Sequence, residues 1–238
     1  MIKFFRHIRK SLLEQNKMGT YFKYAVGEIL LVVIGILIAL QVNNWNEKSN
    51  EQKKLQTIYG IITKDLESDI GKIKETIDFY KKREPYLKQV LDNKLTRENY
   101  TDSTYFNLIT YTPQVSVSTR GFNLLTASTN DKAFKDSLQI SLTEFYTLTI
   151  SRFEFLQNYM VTDIEDNLSN WKNNYTWYPD YILRKNLEQF IDYTLDNPNY
   201  KNRVANYYFV HYGVSINYLE DFVSNADIVL KQLKNYHD

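Results

Sequence analysis

Tyr24–Val42 reads YAVGEILLVVIGILIALQV. Ile29 to Leu40 is an unbroken run of apolar residues and one glycine, with Glu28 the only charge nearby on its amino side. Nineteen helical residues at 1.5 Å each reach about 28 Å, the thickness of a bilayer's hydrocarbon core. The reading that follows is a single membrane span. Its flanks suggest an orientation: Lys3, Arg6, Arg9, Lys10, Lys17 and Lys23 precede it against one acid, Glu14, whereas acids and bases are mixed after Asn44. Lys and Arg near a span mark its cytoplasmic side. The expected layout is a basic amphipathic cytoplasmic tail at 1–20, a transmembrane helix at 21–45 and an extracytoplasmic domain at 46–238. The rival is a cleaved signal peptide, but no small-x-small cleavage site follows Ala39.

The tail has a pattern of its own. Ile2, Phe5, Ile8 and Leu12 recur at helical spacing beside basic residues. That suits a short helix on anionic headgroups, with Lys3, Arg6, Arg9 and Lys10 as interfacial anchors; a basic tail that only sets topology is the plainer alternative. Trp45 stands where an interfacial aromatic belongs on the other side. NNWNEKSN, Asn43 to Asn50, is either a linker or a continuation of the helix.

Composition narrows the function classes. A net charge of +1 over 238 residues gives no field for nucleic acid. The absence of cysteine excludes disulfides, thiol nucleophiles and thiolate metal sites.

The run GEILLVVIGILIALQVNNWNE, Gly27 to Glu47, resembles the signature of a family of uncharacterised single-pass membrane proteins of the Bacteroidota. The start MIKFFRHIRK fits the same pattern, and TRGFNLLTAS, Thr119 to Ser128, with Phe134 and Tyr146, resembles a second, looser one. The resemblance implies an anchor in the bacterial inner membrane and a periplasmic helical domain. It carries over no catalytic residue.

Beyond the span, Leu55, Ile58, Ile62, Leu66, Ile70, Ile73, Ile77 and Tyr80 recur every three or four residues, which predicts an amphipathic helix that Pro85 bends or ends. QVSVS, Gln114 to Ser118, alternates like a short strand but has no partner run. A second stripe, from Phe134 through Leu138, Leu142, Phe145, Phe153, Leu156 and Met160 to Trp171, predicts a long helix capped by Asn130 or Asp131. A third helix is expected over 181–195, with Leu183, Leu187, Phe190 and Ile191 inward. A fourth, capped by Asn197 with Pro198 in its first turn, carries Val204, His211, Leu219 and Leu233. The fold expected is mainly α: one transmembrane helix, then an elongated antiparallel bundle of about four long helices. No second span is expected, because Val204–Ile216 is short and contains Asn206 and His211.

Candidate functional residues are few. Gly27, Leu31, Gly35 and Ala39 share one face of the span with Glu28 beside them. Small residues four apart let spans approach closely, and a carboxylate at that depth is costly unless it snorkels or is paired. This face is the candidate for self-association or contact with another membrane protein. Trp171, Tyr175, Trp177 and Tyr178 form an aromatic segment that either lines a ligand groove or packs on the end of the bundle. The three histidines are far apart in sequence and no metal-binding spacing occurs. Asp163 and Asp166 read as a solvated helix face, and His211 as a core histidine. No enzyme and no cofactor are expected. The function expected is a membrane-anchored interaction, scaffold or accessory protein, with the bilayer and a homo-oligomer or other membrane protein as partners; the alternative is an extracytoplasmic sensor that signals through a partner.

Overall fold

A computed structural model describes residues 18–128 and 137–237, together with Arg6, Lys10 and Glu14. The chain is mainly helical, and no strand occurs among the described residues. Helix α1 is Met18–Leu91. Two short 3-10 turns, Arg97–Thr101 and Ser103–Asn107, lead into an extended segment and then α2, Arg120–Ser128. There follow α3 (Ser137–Asn174), α4 (Tyr178–Leu183), α5 (Glu188–Asp196) and α6 (Pro198–Tyr208). A π-helical segment, Phe209–Ser215, joins α6 to α7, Ile216–His237.

The chain divides into two units, Met1–Thr57 and Ile58–Asp238. In the first, the large side chains from Ile29 to Leu40 are all exposed among the described residues. It is one helix long and apolar enough to cross a membrane. Asn43–Asn50 is helical, so the linker alternative falls away.

In the second unit the stripe of α1 is the core. Ile58, Ile62, Leu66, Ile73, Ile77 and Tyr80 are all buried, as their spacing predicts. Pro85 does not end the helix. It costs the chain one backbone donor, yet Leu87 and Val90 beyond it are buried, and that packing carries the helix on to Leu91. Helix α3 packs against α2, α4, α6, the π segment and α7. Leu138, Leu142, Phe153, Leu156, Met160 and Trp171 are the buried side of α3. The predicted cap at Asn130 or Asp131, and Phe134, lie outside the described residues.

Three further expectations are corrected. The single helix over 181–195 is two helices, broken where Arg184 takes a left-handed conformation (φ 52°, ψ 40°) and its N–H caps α4; Leu183 is consequently exposed. Gln114–Ser118 is not a strand; Val115 N–H donates to Gln157 Oε1 and Ser118 N–H to Asp69. The last helix is interrupted by the π segment. Tyr207, His211, Ser215 and Leu219 are all buried at successive steps of four, which would drift about 40° per step around an α-helix. The wider π turn takes up that drift. The cap at Asn197 is as expected: its side chain accepts from Asn199 N–H at 2.9 Å, with Pro198 in the first turn.

Candidate functional site

The face predicted on the span is open. A Cβ built at Gly27 or Gly35 would meet no atom within 4 Å, and Leu31 and Ala39 are exposed. Glu28 is half-buried and Trp45 fully exposed. Of the interfacial anchors, Arg6 and Lys10 are exposed, while Lys3 and Arg9, like the stripe Ile2, Phe5, Ile8 and Leu12, lie outside the described residues.

The aromatic segment belongs to the core rather than to an open groove. Trp171 and Trp177 are 1% and 6% exposed. Trp171 stands edge-on to Trp177, Tyr181 and Phe190, and its Nε1–H donates to Tyr193 Oη at 3.2 Å. Burial pushes the Tyr193 phenol up to about 12. Tyr175 stacks on Trp177 and, half-exposed, borders a shallow depression with Asp192, Asn197 and Pro198. Tyr178 is half-exposed. The two tryptophans therefore offer no free ring face to a glycan or peptide.

Two acids of α1 take a role that helical periodicity does not reveal. Asp69 is buried, and its carboxylate accepts from Ser118 N–H at 2.6 Å and Ser118 Oγ–H at 2.9 Å. One turn earlier, Asp65 accepts from Gly121 N–H at 3.2 Å and lies 3.8 Å from the Arg120 guanidinium. Carboxylates suit the unpaired N–H groups of a helix start, so these acids fasten the first turn of α2 onto α1. Gly121 makes the contact possible. A Cβ there would stand 2.6 Å from Ile62 Cγ1 and about 3 Å from Ile62 backbone atoms. The TRGF segment thus marks a helix-to-helix approach.

The densest polar cluster surrounds His211, which is fully buried in the π segment. Its Nδ1 is 3.3 Å from Tyr80 Oη, its Nε2 is 3.4 Å from Asp163 Oδ2, and its ring stacks on Tyr207. Asp163 is buried, not solvated as the sequence suggests; its other oxygen accepts from Asn206 Nδ2–H. Asp166, one turn on, is the exposed member of that pair and accepts from Arg203 at 2.8 Å. Tyr80 also meets Thr112 Oγ1 at 2.6 Å, and burial raises its pKa to about 12. Burial likewise lowers the His211 pKa, against the opposing pull of Asp163. The histidine is held neutral in a closed site, which is poor ground for general acid–base catalysis on a diffusing substrate. Among the described residues no group of three or more His, Asp or Glu could hold a metal ion.

One open cavity, about 260 Å³, lies between α3 and α7 over residues 141–153 and 218–229. Phe145, Leu148, Phe222 and Ile228 supply its apolar walls, and Glu144 and Arg152 its charges. Periodicity assigned Phe145 to the core but gave no sign that Leu148 and Ile228 stay exposed beside it.

Comparison with curated proteins gave no match, and comparison with solved structures gave none either. A family model does match residues 28–157, from Glu28 beside the apolar stretch of α1 through both acids of α1 and Gly121 to the middle of α3. That stretch is more than half of the chain, and the protein belongs to the family of unknown function DUF6090.

Proposed function

We propose that this is a single-pass protein of a bacterial inner membrane, with its amino end in the cytoplasm and residues 46–238 forming a periplasmic helical bundle. It acts as a scaffold or accessory subunit, not as an enzyme, and associates with a second copy or another membrane protein through Gly27, Glu28, Leu31, Gly35 and Ala39. One observation carries this reading: among the described residues, none of the strongest apolar stretch is buried. Leaving some ten large apolar side chains in water would cost on the order of 20 kcal/mol, so a bilayer is the natural surroundings. The open small-residue face supports a contact within that bilayer. The excess of Lys and Arg before the span supports the orientation, and the resemblance of Gly27–Glu47 to membrane proteins of the Bacteroidota supports the source.

Crosslinking in native membranes, followed by mass spectrometry, tests it. The wild-type chain is expected to give a discrete crosslinked species, and Gly35→Leu with Glu28→Ala to lose it. An unchanged pattern in that variant would refute the assigned face, and a chain recovered wholly in the aqueous fraction would refute the anchor.

A further inference from the structure

The cavity of about 260 Å³ between α3 and α7 has a lining that suits one class of small molecule. Its floor is aromatic. The Phe222 ring lies 5.9 Å from that of Phe145 and 5.3 Å from that of Phe153, and all three line the space. Leu148 and Ile228, 52% and 53% exposed, extend the apolar wall toward solvent. An apolar cavity of about 150 Å³ holds one benzene ring, so this one takes an apolar side chain together with a short backbone. The polar side chains of the lining are unused by the fold. Thr149 is only 7% exposed, and its hydroxyl has no hydrogen-bond partner among the described residues. Neither Glu144 nor Arg152 has an ion-pair partner among them; Arg152 lies over the Tyr218 ring, at 5.7 Å. A guanidinium stacked by its face keeps its in-plane N–H groups for a carboxylate. Asn225 Nδ2–H donates to Asp221 O at 2.8 Å, which leaves the Asn225 Oδ1 as an acceptor.

A dipeptide zwitterion meets each of these groups. Glu144 and Arg152 are eight residues apart on α3, about 12 Å along the axis. Helical side chains lean toward the amino end, so both charges shift the same way and keep roughly that separation. Two extended residues span about 7 Å, and a charge-assisted hydrogen bond of about 2.8 Å at each end brings the total to about 12–13 Å. A single amino acid falls several ångströms short, and a tripeptide overshoots by as much. Between the termini, the one peptide group finds a donor for its C=O in Thr149 and an acceptor for its N–H in Asn225. A fatty acid or a hydrophobic helix would instead set Glu144 against apolar atoms, and covering an unpaired charge is costly.

We propose that the groove between α3 and α7 binds an apolar dipeptide, its ammonium on Glu144, its carboxylate on Arg152 and its side chains on the floor of Phe145, Phe153 and Phe222. The site lies wholly within the second unit and does not rest on the contact proposed for the span.

Isothermal titration calorimetry of the full chain in detergent tests this, with the dipeptide Leu-Phe as probe. Saturable binding at one site is expected. N-acetylation of the probe removes its ammonium; it should weaken binding severalfold in the wild type and have no effect in Glu144→Gln. Amidation of its carboxyl end should weaken binding about tenfold in the wild type and have no effect in Arg152→Gln, the difference expected of one charge-assisted pair. Thr149→Val keeps the shape of the wall without the hydroxyl and should weaken Leu-Phe severalfold. Free phenylalanine and Leu-Leu-Phe should each bind severalfold more weakly than Leu-Phe. The altered probes are compared on the wild-type chain, so that comparison needs no variant to fold. Absence of binding of Leu-Phe at millimolar concentration, equal affinity for the acetylated or amidated probe, or equal affinity for phenylalanine or the tripeptide would each overturn the proposal. Wild-type affinity for Leu-Phe in both charge variants would overturn it too.

Discussion

Replacing Gly121 with alanine adds one methyl group and should destabilise the outer unit. The added Cβ would stand 2.6 Å from Ile62 Cγ1, 3.0 Å from Ile62 N and 3.1 Å from Ile62 Cα. A rotamer change of Ile62 cannot relieve the two backbone contacts, so α2 must move away from α1. That displacement stretches the hydrogen bonds from Gly121 N–H to Asp65 and from Ser118 to Asp69. Overpacking of this kind costs about 1–3 kcal/mol. For a folding unit of this size each kcal/mol moves the melting midpoint by about 2–4 °C, so a fall of about 2–12 °C is expected. Gly71 supplies the control. It is exposed in the middle of α1, and a Cβ there would meet nothing within 4 Å. Alanine in place of a mid-helix glycine stabilises by about 0.8–1 kcal/mol, so Gly71→Ala should raise the midpoint by about 2–4 °C. Thermal melts followed by circular dichroism on the full chain in one detergent measure both. The same substitution thus acts with opposite sign at two glycines. A Gly121→Ala midpoint at or above wild type would refute the close approach of α2 to α1.

Two other outcomes follow from the buried clusters. Trp177→Ala empties a site enclosed by Trp171, Tyr175, Phe190 and Tyr193. Truncation of a buried aromatic costs about 3–5 kcal/mol, and an unchanged melting midpoint would show that the ring is not core. The second outcome concerns pH. Burial depresses the His211 pKa below its ordinary 6.5, so the unfolded chain takes up a proton that the folded chain refuses. Stability is therefore complete above about pH 6.5 and declines as pH falls from there toward the folded pKa, by about 1.4 kcal/mol per unit of depression. His211→Gln should flatten the fall in melting midpoint between pH 7 and pH 5; an unaltered slope would exclude this histidine as its source.

What was legible in the sequence follows from periodicity. The stripe from Ile58 to Tyr80 is buried because its spacing puts every member on one face. The start of α6 was visible in Asn197–Pro198, where a side-chain acceptor and a ready-made φ coincide. The errors arise where tertiary packing overrides a local rule. Pro85 stays in α1 because Leu87 and Val90 beyond it are buried. The break at Arg184 has no glycine or proline to announce it; the residues Arg184-Lys185-Asn186 give no local sign of a left-handed turn. Asp163 looked solvated because its chain neighbours are polar, whereas its burial comes from Asn206 and His211, more than forty positions away. The tryptophans could be placed at the end of a bundle but not inside or outside it, since aromatic residues serve cores and grooves alike. The π segment gave no such sign, because His211 and Ser215, two of the four positions buried at steps of four, are polar residues whose burial comes from packing.

The extent of the family match separates these features. Residues 28–157 include Glu28, Leu31, Gly35 and Ala39 of the exposed apolar stretch, Asp65 and Asp69, the Gly121 contact and the α3 wall of the cavity against α7. They exclude Asp163, His211, Trp171 and Trp177. The matched stretch therefore holds exposed apolar side chains on α1 and α3 and the fastening that fixes α2 to α1. The aromatic core around Trp171 and Trp177 lies in the remainder, and the His211 cluster straddles the boundary, with Tyr80 and Thr112 inside the matched stretch and Asp163, Asn206 and His211 beyond it. Within the matched stretch, buried Asp69 and half-buried Asp65 accept from Ser118, just before α2, and from Gly121 N–H in its first turn.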